Sequence, residues 1–209
     1  MEVLKNNELA IADLNKAVEV EPTLFNYSWR AWVYERIKKY ELALADYNKI
    51  IELAPTFSNY TSRAACYKKL GKNDLALVDY NIAVKIEPNV LSYLNRAEFY
   101  GNVLKNYELA IKDFNKVIKL LKTSQAGDTV AVDVNVYLGI TYRERGKVYY
   151  ELKNYKLAVK DFNEAIELNP NSAVDAVNYH LRGLCYQALG DEEKAQADFA
   201  KEKELGYNG

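Results

Sequence analysis

The chain has 209 residues, with 28 Lys and Arg against 29 Asp and Glu, one His, two Cys and a net charge of −1, and nearly half of it is apolar. That balance suits a folded protein and weighs against a broad nucleic-acid-binding face, and no apolar run approaches the roughly 18 residues of a membrane span. One His and two Cys leave little for a metal site or a Cys/His nucleophile, and no signal-peptide pattern opens the chain, a weak pointer to the cytoplasm.

In chain order, a single phrase keeps returning. ELAIADLN (8–15) is followed by ELALADYN (41–48), DLALVDYN (74–81), ELAIKDFN (108–115), KLAVKDFN (156–163) and a weaker KAQADFA (194–200). Pro22, Pro55, Pro88 and Pro170 close the stretches EVEP, IELAP, KIEP and IELNP, and the first two intervals are 33 residues each. Between them runs a second phrase: Tyr27-x-x-Arg30-Ala31-x-x-Tyr34, then Tyr60…Arg63-Ala64…Tyr67, Tyr93…Arg96-Ala97…Tyr100, Tyr142…Arg145-Gly146…Tyr149 and Tyr179…Arg182-Gly183…Tyr186. Spacing of i, i+3, i+4, i+7 puts these four residues on one helical face. Each unit therefore reads as two amphipathic helices, A then B, with a Pro stopping B and a small residue letting A approach B. The units are 1–22 (helix B only), 23–55, 56–88, 89–122, 123–170 and 171–209, about eleven helices in all. Such a module buries its second face only by stacking on a neighbour.

This pattern resembles the tetratricopeptide repeat (TPR): aromatic-x2-Leu-Gly-x2-Tyr, Ala-x3-aromatic, then Pro, over about 34 residues. It stands here as Tyr27…Ala31…Tyr34…Ala43-x3-Tyr47…Pro55 and as Tyr142…Gly146…Tyr149…Ala158-x3-Phe162…Pro170, recurring five times over essentially the whole chain. Arg replaces the usual Leu throughout, in the Arg-Gly style of bacterial arrays. The resemblance implies an all-α fold, a right-handed α-solenoid of stacked antiparallel helix pairs forming a single array.

The fifth unit is about 14 residues too long. Half of the excess is a polar connector, 122–128. The other half lengthens helix A, because Leu138-Gly139-x-x-Tyr142 repeats seven residues later as Arg145-Gly146-x-x-Tyr149. The stretch 130–140 also alternates like a strand, but a lone strand among helices has no hydrogen-bond partner, so helix is expected. The chain begins inside a unit and ends without a polar capping helix, which fits a fragment of a longer array or ends covered by another molecule.

An Arg in each A helix faces an Asp supply in the B helices. The expected ladder joins each Asp to the Arg of the next unit: Asp13–Arg30, Asp46–Arg63, Asp79–Arg96, Asp113–Arg145 and Asp161–Arg182. Pairing within a unit, which would bring in Asp198, is the alternative, and solvated carboxylates are a third. The recurring Asn15, Asn48, Asn81, Asn115 and Asn163 read as hydrogen-bonding links between repeats.

Neither a phosphate loop, a dinucleotide fingerprint, a nucleophile elbow nor H-E-x-x-H occurs, so the reading is non-catalytic, with no cofactor and no metal. Cys66 and Cys185 hold equivalent slots three units apart and are expected to be buried packing residues, not a disulfide. The family resemblance implies that A helices line a concave groove for a partner peptide. The residues off the packing stripe are then Ser28, Trp29, Trp32, Glu35 and Arg36; Thr61, Ser62, Ala65, Lys68 and Lys69; Leu94, Asn95, Glu98 and Asn102; Arg143, Glu144, Lys147, Tyr150 and Glu151; and His180, Leu181, Leu184 and Gln187. The clamp that TPR proteins use for chaperone C-termini does not carry over, because its slots read Ser28/Trp32, Ser62 and Leu91/Asn95. Trp29 and Trp32 are the sharpest candidates, set against the reading that they pack on a neighbouring repeat. Arg143 and Lys147 suit a ligand carboxylate unless Glu144 and Glu151 neutralise them, and His180 is a groove contact or a plain surface residue. The function read from this is a protein–protein interaction scaffold, with self-association through the ends, or membership of a larger enzyme or regulator, as alternatives.

Overall fold

The computed structural model describes residues 2–123, 133–168 and 173–206. Among the described residues there are eleven α-helices and no strand, and the chain forms two compact units, Met1–Pro88 and Asn89–Gly209.

The first unit holds α1 (Glu2–Val20), α2 (Leu24–Arg36), α3 (Tyr40–Leu53), α4 (Phe57–Lys69) and α5 (Asn73–Ile86), each packed on the next. The prolines act together with the residue behind them. Thr23 and Thr56, directly after Pro22 and Pro55, accept from the backbone N–H of Asn26 and Asn59 at 3.3 Å and so start α2 and α4. Ala31, Tyr34, Ala43, Leu44, Ile50 and Cys66 form the core, drawn from three successive helices.

The second unit holds α6 (Val90–Glu98), α7 (Tyr107–Thr123), α8 (Val134–Glu151), α9 (Tyr155–Leu168), α10 (Ala173–Ala188) and α11 (Glu192–Glu204). Here too each helix packs on its successor. Asn89 and Ser92 cap each other at the head of α6, and Asp133 caps α8. α8 is helical from Val134 and 18 residues long, against 13 for α2 and α4, so the lengthened helix A exists. Residues 130–132, most of the connector and Pro170 lie outside the described residues. Gly146 and Gly183 are needed for close approach, since a Cβ there would stand 2.9 Å from Phe162 and 2.7 Å from Phe199.

The Arg–Asp pairs do not run to the next unit. They close within each helix pair: Arg30–Asp46, Arg63–Asp79, Arg96–Asp113, Arg145–Asp161 and Arg182–Asp198, all bidentate at 2.6–3.0 Å. The reason is hairpin geometry. Between A and B lies one left-handed residue, as at Lys38, Gly71 and Lys153, and Arg and Asp each sit eight residues from it. Two antiparallel helices bring residues equidistant from their turn face to face. The link back to the preceding unit is made instead by Asn: Asn15, Asn48 and Asn163 accept from the Nη1 of Arg30, Arg63 and Arg182 at 2.7–3.0 Å, and Asn115 does so from Arg145. Asp13, left without the role expected of it, is exposed and makes no ion pair among the described residues.

The pair in α6–α7 carries one extra residue. Arg96 stands nine residues before the left-handed Lys105, while Asp113 keeps its eight. The surplus is absorbed by a π-helical turn, Phe99–Val103, in which Leu104 N–H bonds five residues back to Phe99 O at 3.1 Å.

These pairings give a direct test of register. Asp46 is only 2 % exposed and its Arg30 partner is half-buried, so Asp46→Asn is expected to lower unfolding stability by about 1–3 kcal/mol. Asp13→Asn leaves the urea midpoint unchanged. Equal midpoints for both variants would contradict the within-pair assignment.

Candidate functional site

The helices that follow each B helix (α2, α4, α6, α8 and α10) each use one face to pack. On α2 that face is Tyr27, Arg30, Ala31 and Tyr34, with the Arg30 guanidinium 5.8 and 6.0 Å from the two tyrosine ring centres. The opposite face is a stripe of Phe25, Trp29, Trp32 and Arg36, spaced four, three and four residues apart. Phe25 meets Trp29 edge-on at 6.0 Å and Trp29 meets Trp32 at 5.6 Å, while the Arg36 guanidinium lies 4.7 Å from the Trp32 ring centre. Phe25 is 68 % exposed and each Trp 47 %, with a shallow hollow of about 390 Å³ over Ser28, Trp29 and Trp32.

Glu35, on the same helix, is only partly exposed. Burial pushes its carboxyl up, against the pull of the Tyr47 hydroxyl and of Lys69. On α4, Lys68 and Lys69 are exposed, while Thr61 Oγ1 is buried without a hydrogen-bond partner.

In the second unit several groove candidates are spoken for. Leu94 is buried, a correction to its expected outward position, because α6 packs on more than its Tyr93–Ala97 face. Asn95 donates its amide to Leu91 O of its own helix at 2.8 Å, and Glu98 is partly exposed. Arg143 and Lys147 both bind Glu144, at 3.3 and 2.8 Å, so the expected neutralisation is present and falls on Glu144. His180 is no plain surface residue: its Nδ1 is 3.0 Å from Glu202 Oε2 and its ring faces Phe199 at 6.1 Å.

Other candidates converge. Asn102, Lys147, Tyr150 and Leu181 border one cavity of about 230 Å³, with Gly101 of the π turn and Val148 completing much of its wall. Sequence reasoning missed a structural group as well. Asn26 donates to Ala17 O and Glu21 O at 3.3 and 2.8 Å, and Asn59 to Ala54 O at 2.7 Å, adding a second bond to carbonyls at the preceding helix end that already accept a backbone N–H. The repeated Asn-Tyr dipeptide was the available signal.

Among the described residues no group of three His, Cys, Asp or Glu is placed to hold a metal ion, and no helix is long and apolar enough to cross a membrane. Cys66 and Cys185 are free and buried, and burial pushes both thiols up to about 12.

The architecture is a set of antiparallel helix pairs repeated along the chain, with matching contacts in every pair. Models of the tetratricopeptide repeat match residues 26–57, 91–120, 139–172 and 176–201, and the chain belongs to that family. No curated protein sequence matches it. Among solved structures it is similar to BtubC (BKLC) from P. vanneervenii, at 18 % identity over 98 % of this chain and 92 % of that one, with a TM-score of 0.77. It is similar to the C-terminal part of a TPR repeat-containing protein from Cytophaga hutchinsonii, at 24 % identity over 96 % and 75 %, TM-score 0.71. A third is YrrB, described as a TPR protein with an unusual peptide-binding site, at 18 % identity over 92 % of each chain, TM-score 0.64. At these identities the likeness speaks for the fold.

Thiol chemistry checks the burial. A thiol with a pKa of about 12 carries almost no thiolate at pH 8, so iodoacetamide is expected to leave both cysteines unmodified in the folded chain. In denaturing urea both should react within minutes, as mass spectrometry would show, and rapid labelling without urea would contradict the assigned packing.

Proposed function

We propose that this chain is an interaction scaffold that binds a segment of a partner polypeptide on the outward faces of its A helices, in the first unit on α2 and α4, with Trp29 and Trp32 as the main apolar contact. The observation that carries this reading is the α2 stripe. Three large aromatic side chains in mutual contact stand exposed on one helical face, whereas soluble proteins rarely leave such patches uncovered without use. Trp and Arg are the side chains most often found at binding hot spots, and Arg36 on Trp32 adds a preorganised cation beside the rings. The family membership and the peptide-binding site named for YrrB support the same class of activity. Lys69 adds a polar contact in the first unit, and Asn95, Glu98, Arg143, Lys147 and His180 are the polar contacts proposed for the second. The near-neutral charge and the mutual pairing of Arg143, Glu144 and Lys147 make the binding mainly apolar, with weak salt dependence.

The two tryptophans of the chain are both in the stripe, so their emission reports on it alone. A bound partner is expected to shift that emission to the blue, and Trp29→Ala/Trp32→Ala to weaken capture of the same partners tenfold or more. Equal recovery by the wild type and the double variant would remove the aromatic face as the recognition site.

Self-association is a second reading, favoured by the exposed Leu9, Leu42, Leu75 and Val78 on α1, α3 and α5. It requires a mass that rises with concentration in sedimentation equilibrium. A strict monomer at high concentration excludes it.

A further inference from the structure

We infer that the extra residue between α6 and α7 builds an anchor pocket, in which the cavity beside the π turn receives one apolar side chain of a bound peptide, preferably one followed by an acidic residue. This rests on the peptide-binding reading above and assigns a second, separate contact to it.

The cavity exists because of how the insertion is absorbed. One added residue in a regular helix would turn everything beyond it by about 100° and carry Tyr100 and the turn off their partners. The π turn confines the disturbance to Phe99–Val103, and the Arg96–Asp113 pair survives at 2.7 and 3.0 Å. The bulged backbone carries Gly101, and a Cβ there would lie 3.1 Å from Val148 Cγ2 and 3.6 Å from Ala110 Cβ. Any larger residue would push Val148 from its place in the wall. Such π turns are frequent at functional sites.

Size selects the occupant. At about 230 Å³ the cavity falls below the roughly 300–1,000 Å³ of small-molecule and cofactor sites, so it suits a side chain and not a metabolite. Chemistry narrows it further. Val148, Leu181 and the Tyr107 and Tyr150 rings supply apolar walls, and Asn102 offers an amide at the exposed lip. Lys105, Lys147 and Glu151 are the charged residues of the lining, and Lys147 is already bonded to Glu144 at 2.8 Å. Lys105 is exposed and makes no ion pair among the described residues, so it is the cation of the lining left for a ligand carboxylate. An aliphatic side chain with a carboxylate on the next residue satisfies both features.

The test uses the full chain, labelled with nitrogen-15, and three small probes: the acetylated, amidated dipeptides leucyl-glutamate, leucyl-lysine and glycyl-glutamate. Leucyl-glutamate is expected to move the backbone amide signals of Gly101, Asn102, Val148 and Leu181 in a saturable way. Leucyl-lysine should bind the same place about two- to fivefold more weakly, the scale of an exposed ion pair, and glycyl-glutamate should leave these signals unmoved. Leu181→Lys, at a partly exposed wall position, should abolish the movements while keeping the remaining spectrum. Lys105→Glu, fully on the surface, should reverse the preference between the two leucyl probes. Equal shifts from glycyl-glutamate, or no shifts from any probe, would overturn the anchor. Shifts confined to the Trp29 and Trp32 indoles would also overturn it while leaving the peptide-binding reading in force. Loss of that broader reading would register separately, as undiminished partner capture by the double tryptophan variant.

Discussion

One interaction is copied through the molecule, and the rest is arranged around it. In every A–B pair an Arg holds the Asp of its own hairpin in a bidentate pair, and two tyrosines of its own helix cover its faces at 5.1–6.0 Å. In four of the five, an Asn of the preceding unit is seen to accept from the same guanidinium. Each Asp is almost wholly buried, so the pair contributes little net stability over an apolar substitute, its desolvation offsetting much of its Coulomb gain. Its value lies in geometry. A fork of five donors, matched to one carboxylate and one amide, admits a single register of A on B and of the pair on the element before it.

Because Tyr, Arg and the small residue occupy one face in each repeat, the opposite face is left outside the packing requirement. The consequence is visible in the side chains. The packing faces of α2, α4 and α10 are nearly interchangeable, whereas the outward faces hold Trp29 and Trp32 on α2, Ser62 and Ala65 on α4, and His180 and Leu184 on α10. Recognition chemistry can differ from repeat to repeat without cost to the fold, and this separates a repeated frame from a particular surface.

Much of the frame was legible in the residues alone. The 3.6-residue period, the 33-residue spacing and the Pro–cap pairs place the helices, and Leu138-Gly139 repeated at Arg145-Gly146 shows that α8 is long. The ladder's direction was not read, although the count of eight residues on either side of the turn contained it. The carboxylates, expected to reach the next repeat, stay within their own hairpin, and the asparagines, read as links between repeats without a named partner, make that link to the arginines. The outward faces were harder. Leu94 and His180 sit on positions that periodicity sends outward, and their burial or pairing depends on which helix comes to lie against them, a tertiary matter that no local pattern encodes. Asn26 and Asn59 escaped for a different reason, since their partners are backbone carbonyls and leave no trace in side-chain spacing.

The two irregular repeats show why insertions of different length have different structural outcomes. A helix turns about 100° per residue, so seven residues return to within about 20° of the starting face. α8 is five residues longer than α2 and α4, and the surplus lies at its N-terminal end, ahead of Arg145, so it extends the helix with Leu138 and Tyr142 buried and requires no local break. One added residue has no such solution. It must rotate the rest of the helix away from its partners or be taken up in a bulge, and the retained Arg96–Asp113 pair shows which of the two occurred. The bulge then places Gly101 and the exposed Asn102 beside α8, where both border the cavity of about 230 Å³. The insertion thus alters the surface within the span that the ion pair closes, while the pair keeps the register of α6 on α7.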